Sequence, residues 1–233
     1  MILKVLNTLR YDRIIIEATA MIFLKRITLL FITLTMLQST CLAFERTKKI
    51  DVALYIDQGF IDRYGGESRA REKAAWFLEQ ASIAFEESGV FNTVRLILQV
   101  EGPFVFDRNY EKLDRDVVYD RGMLTDVFQP WARENYRGDV AVLLSGHNDE
   151  YGGGRASGTA CKSTHTAINM MGDRPNSRVI KTLAHEIGHL LHFSHGDGGI
   201  MEQGDCEGCT FTQTSKNTFS KYEDEMTCIN YVD

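Results

Sequence analysis

The segment HEIGHLLHFSH, His185 to His195, concentrates the residue types that do chemistry. On a helix, side chains at i and i+4 stand one above the other, so His185 and His189 can both turn a ring nitrogen onto one ion. Glu186 is next to the first of them. From there its carboxylate can reach a metal-activated water without being a ligand, which is the position a general base needs. Two imidazoles downstream compete to be the third ligand. His192 shares a helical face with His185 and His189. His195 lies six residues past His189 and joins only if the chain turns back after the helix. Three neutral imidazoles with one open position suit a catalytic zinc better than a closed structural site, which takes four ligands rich in cysteine.

A site of this kind needs a helix to carry it and a sheet to support that helix. Ser177 to Leu191 is predicted as the helix, with Val179, Leu183, Ile187 and Leu190 on its apolar stripe. Strands are predicted where Ile50, Val52, Leu54 and Ile56 alternate, at Val94 to Val100, and at the continuously apolar Val140 to Leu144. Helices are expected over Ser68 to Ser88 and from Leu124 onward, the latter limited or kinked by Pro130. Asp107 to Arg121 reads as an exposed loop, Tyr151 to Gly158 as a glycine-rich turn, and Thr164 to Met171 as a further strand. One last helix is expected after Met201, with Ser220 and Glu223 as its capping box. The order of elements predicts an α/β (α+β) sandwich with a mixed sheet.

The chain has 233 residues, with 26 Lys and Arg against 32 Asp and Glu, a formal charge of −6. An acidic chain of this size lacks the basic footprint that a phosphate backbone requires, so nucleic acid is not an expected partner. Met21 to Ala43 has a short basic start, an 11-residue apolar run from Ile27 to Leu37 and a small-residue end, the layout of a secretory signal peptide. That run is short of the roughly 20 residues a spanning helix needs, so no permanent membrane span is expected. Residues 1–20 then form an upstream extension, and 44–233 one catalytic-size domain. Removing the leader leaves 21 basic against 30 acidic residues, a charge of −9. It also takes away Cys41, leaving Cys161, Cys206, Cys209 and Cys228, an even number suited to two disulfides in a secreted or periplasmic protein.

With the metal motif, the stretches KIDVALYIDQ (49–58), LTDVFQPWARENYRGDVAVLLSG (124–146) and FSKYEDEMTCIN (219–230) resemble the adamalysin/reprolysin branch of the metzincin metalloproteases. The resemblance implies a metzincin catalytic domain, with an active-site helix and a small C-terminal subdomain carrying a methionine turn and a final helix. It implies zinc on His185, His189 and His195, Glu186 as general base, Met201 in the methionine turn, and cleavage of internal peptide bonds. Where the motif has glycine this chain has His192, which can take the left-handed turn at a cost of about 1 kcal/mol. The resemblance pairs Cys161 with Cys228, leaving Cys206 with Cys209, and places a structural calcium near Asp51, Asp139 and Asn230. It further implies that the strand near Thr164–Met171 rims the cleft and pairs with a protein or peptide substrate; a monomer is expected. The acidic residues Glu202, Asp205 and Glu207 beside the cleft suggest tolerance of polar or basic substrate side chains. An aminopeptidase-like metzincin and a catalytically idle zinc-containing module that only holds a protein are the alternatives.

Overall fold

β1 (Arg46–Ile56) runs through the middle of a twisted sheet in the computed structural model, which describes residues 46–87, 94–105, 121–136, 138–147, 153–162, 166–170, 174–204 and 209–232. The signal-peptide expectation, Asp107 to Arg121 with the exception of its last residue, and Cys206 lie outside these residues. β1 is followed by α1 (Gln58–Arg63), α2 (Glu67–Glu87), β2 (Val94–Val105), α3 (Arg121–Asn135), β3 (Val140–Ser145), β4 (Gly153–Ser157) and β5 (Thr166–Met170). The helix α4 (Asn176–Leu190), two single 3₁₀ turns at His195–Asp197 and Gly199–Met201, α5 (Gln213–Tyr222), a 3₁₀ turn at Glu223–Glu225 and β6 (Asn230–Val232) complete the chain. Residues 45 to 233 form one compact unit. Among the described residues no helix is long and apolar enough to cross a membrane.

The strand order is β2-β1-β3-β5-β4. β1 pairs in parallel with β2 and β3, β3 in parallel with β5, and β4 antiparallel with β5. β6 lies antiparallel beside Thr47 to Lys49 of β1. This is the expected mixed sheet, with helices on both faces. Alternation along β1 sends Ile50, Val52, Leu54 and Ile56 to one face, where they join Phe77, Leu78, Phe85, Leu183 and Ile187 from α2 and α4. Ala53 and Tyr55 point to the other face and meet Leu124, Phe128 and Ala132 of α3. β3 is buried at every position because it faces a core on each side, which is why its sequence is apolar throughout.

Three expectations are corrected. The glycine-rich Tyr151–Gly158 is not a turn: Gly153–Ser157 is a strand and forms the edge of the sheet. The strand at Thr164–Met171 is therefore not the rim of the cleft. Its core, β5, is interior, with β3 on one side and β4 on the other. The final helix starts earlier than expected, because Thr212 caps it by accepting from the Thr214 amide at 3.2 Å, leaving Ser220 inside the helix and Glu223 beyond its end. The capping box of this region is upstream, where Ser194 and Asp197 bond reciprocally around the turn at His195.

Candidate metal centre

α4 carries two stripes. Val179, Leu183, Ile187 and Leu190 are buried in the core, as expected, while Arg178, Lys181, Thr182, His185, Glu186 and His189 line an open cleft of about 480 Å³. The helix ends in a Schellman motif: the Phe193 amide donates to Gly188 O at 3.0 Å and the His192 amide to His189 O at 3.1 Å. His192 holds the left-handed position of that motif, with φ of 70°, doing with a bulky residue what glycine does elsewhere. Its ring stacks on Tyr222, centroids 4.3 Å apart at 13°, which anchors it to α5. The turn reverses the chain and delivers His195 to the cleft.

The three imidazoles converge. His189 Nε2 is 3.0 Å from His185 Nε2 and 3.1 Å from His195 Nε2. Among the described residues this trio is the group of three or more His, Cys, Asp or Glu side chains whose ligand atoms come together, and His192 is not part of it. His185 Nδ1 lies 2.8 Å from Ile200 O, and His189 Nδ1 lies 2.8 Å from Phe193 O. A carbonyl only accepts, so each Nδ1 carries the proton and each neutral ring presents a bare lone pair at Nε2. His195 Nδ1 has the Gln203 amide 3.2 Å away.

Burial pushes His185 down to about 4, with the Ile200 carbonyl opposing and the nearby His189, His195 and Lys181 adding to the fall. His189 is lowered for the same first reason, burial, against a raising effect from the Phe193 carbonyl. The two rings are therefore neutral at ordinary pH, with lone pairs facing each other at 3.0 Å and no proton between them. That contact is repulsive unless a cation sits at the convergence. Tetrahedral zinc with Zn–N of 2.0–2.1 Å would set its nitrogens about 3.3 Å apart, close to the separations found, so the donor set fits this metal.

Glu186 is 6% exposed and packs under the edge strand. A Cβ on Gly154 would fall 2.3 Å from Glu186 Cγ, so β4 crosses the glutamate at a distance only glycine allows. Met201 is fully buried, and a Cβ on Gly188 of α4 would meet its sulfur at 2.7 Å. The C-terminal segment is tied on by the Cys161–Cys228 disulfide and by buried Lys48 pairing with Glu223. Cys209 is also disulfide-bonded.

The calcium candidates are placed differently. Asp139 Oδ2 accepts from the Asp51 amide at 2.8 Å, and Asp51 Oδ1 lies 3.1 Å from Lys49 Nζ. Asn230 sits opposite Lys49 in the β1–β6 pairing, its side chain outside the described residues. Sequence reasoning did not single out a second histidine cluster, in which His147 Nδ1 lies 3.0 Å from both Ser145 Oγ and Asp57 Oδ2.

A reprolysin model of metallo-peptidase family M12 matches residues 46–231, which takes in β1 to β5, the imidazole trio and Met201. The chain belongs to metallo-peptidase family M12. No curated protein matches it. Among solved structures it is similar to one described as "Structure of a chaperone-substrate complex", at 14% identity with a TM-score of 0.51, over 79% of this chain and 36% of that one. This chain thus spans about a third of that chain's length, and a likeness at that identity speaks for the fold alone. The His185, His189 and His195 trio lies within the matched residues and fits that family.

Proposed function

We propose that the protein is a zinc endopeptidase in which His185, His189 and His195 hold the metal and Glu186 is the general base. The observation that carries this reading is the pair of neutral histidines whose Nδ1 protons are committed to Ile200 O and Phe193 O, which leaves Nε2 lone pairs converging with that of His195. Zinc bound there supplies Lewis acidity, acidifying water and polarising a peptide carbonyl. Glu186, held beside the trio by α4 and pressed by β4, takes a proton from the attacking water and passes it to the departing amine. The Ile200 and Phe193 carbonyls fix the ring orientations throughout.

An extended substrate is placed along β4. That strand has β5 on one side, and its Gly153 to Ala156 line the cleft, so a peptide can add to the sheet through backbone hydrogen bonds directly over Glu186. Export to an oxidising compartment belongs to the same proposal and is supported by the disulfides at Cys161, Cys228 and Cys209; the Cys206–Cys209 pairing is the part of it that mass mapping would decide. A calcium ion at Asp51, Asp139 and Asn230 has less support, because Lys49 already brings positive charge to Asp51.

The test is cleavage of an internally quenched peptide blocked at both ends. Wild-type protein should cleave it and a zinc chelator should stop it, while Glu186→Ala should keep one zinc per chain and lose activity by about 10²–10⁴-fold. Undiminished cleavage by Glu186→Ala removes the glutamate from the mechanism. Cleavage confined to peptides with a free N-terminus favours the aminopeptidase alternative.

A further inference from the structure

The cleft has the opposite sign of charge from the chain that contains it. The protein carries −6 overall, yet the described lining holds Arg155, Arg174, Arg178 and Lys181 against Glu186 and Glu202. A zinc ion would add to that excess. Fields of one sign concentrated in a cleft raise the local concentration of oppositely charged ligands.

The cations do different work. Lys181 Nζ donates to Glu202 O at 3.0 Å and to Gly204 O, so it clamps the loop after the methionine turn onto α4 and builds the wall of the cleft. Arg178 occupies the same face one turn earlier, in register with Lys181 and His185. It lies seven residues from His185, about 10 Å along the helix axis. A long guanidinium side chain and a substrate carboxylate reaching toward each other span that gap, while the scissile carbonyl stays at the imidazole trio. A guanidinium has five donors in a planar fork matched to a carboxylate, so a protein partner on one edge does not exhaust it. We infer that Arg178 is a specificity-determining residue and that the peptidase favours substrates with an acidic side chain beside the cleaved bond. This rests on the peptidase reading above and replaces the expectation of polar or basic tolerance drawn from Glu202, Asp205 and Glu207. The last two lie outside the described residues.

The probes are end-blocked peptides identical apart from Asp, Leu or Lys next to the cleaved bond, compared in pairs, with a second set varied on its other side. The readout is the ratio of kcat/KM, acidic over apolar, so any general loss from misfolding cancels. Wild-type protein should favour Asp at one of the two positions by about tenfold, the scale of one charge-assisted contact. Arg178→Gln should bring that ratio near one, and Arg178→Glu should turn the preference toward Lys. The same pairs are titrated by fluorescence anisotropy against Glu186→Ala, which reads binding without turnover. Tighter binding of the Asp peptide, abolished by Arg178→Gln, sustains the inference even if no peptide is cleaved and the peptidase reading fails. Cleavage or binding that favours Leu or Lys, or an Asp preference that Arg178→Gln leaves intact, overturns it while the peptidase reading stands.

Discussion

Two clusters, one of three histidines and one built around His147, put the same ring to different use. At the metal centre, Nδ1 of His185 and of His189 each faces a backbone carbonyl, and the Nε2 atoms are turned inward on one another and on His195. At the ends of β1 and β3, His147 Nδ1 is shared by Ser145 Oγ and Asp57 Oδ2, and Asp57 Oδ1 also accepts from the Phe60 and Gly146 amides at 2.8 and 3.1 Å. Ser, His and Asp are the three types of a hydrolytic triad, but serine and aspartate sit on the same ring nitrogen. The ring cannot take a proton from one while the other orients it from the far side. That cluster is a brace that caps α1 and pins the turn after β1 to the end of β3. In both clusters the protein satisfies Nδ1; what marks the metal centre is that the Nε2 atoms of three rings converge on one point, whereas His147 meets a serine and an aspartate at Nδ1.

The largest effect that can break this comparison is at the trio. His189→Ala should abolish zinc binding and with it cleavage, since it removes the central imidazole, whereas His147→Ala should leave one zinc per chain by elemental analysis. Zinc retained in the first or lost in the second would erase the distinction. Asp57→Ala should lower stability to urea by about 2 kcal/mol, through the lost helix cap and the buried partner of His147, with zinc content unchanged.

A pH series on metal-depleted protein sharpens the contrast. Burial holds His185 at about 4, against 6.5 for an ordinary imidazole. Between those values the unfolded chain binds the extra proton and the folded one does not, so stability is full above about 6.5 and is lost as pH falls toward 4. Melting temperature should drop across that window, and less in His185→Gln. The smallest effect is at the turn. His192→Gly should shift stability by no more than about 1 kcal/mol, because relief of the left-handed strain is offset by the lost stack on Tyr222 and a freer unfolded chain. It should keep zinc; losing the metal would reinstate His192 as a ligand.

The parts of this site that could be read in the sequence are those fixed by helical geometry. The i, i+4 rule joins His185 to His189, and the apolar stripe of α4 fixes which face they leave open. The third imidazole depends on a Schellman turn with histidine at the glycine position, which periodicity alone does not choose. β4 was illegible because Gly153 and Gly154 erase the strand pattern, and the close approach to Glu186 that demands Gly154 involves a residue far along the chain. Misreading β4 displaced the rim of the cleft onto β5. The Asp57, Ser145 and His147 brace is illegible for a similar reason: Asp57 follows β1 while Ser145 and His147 stand at and just past the end of β3, and only the β1–β3 pairing brings them together. The cationic lining of the cleft gathers residues from β4, α4 and the residues before α4, while acidic residues near Met201 drew the sequence reading the other way.

The central claim is most directly tested by stripping the protein of metal and measuring kcat/KM on an end-blocked quenched peptide as zinc is returned. The account predicts no cleavage without metal and activity that rises to a plateau at one zinc per chain. Cleavage that survives complete removal of the metal, or no cleavage at full zinc occupancy, would contradict it.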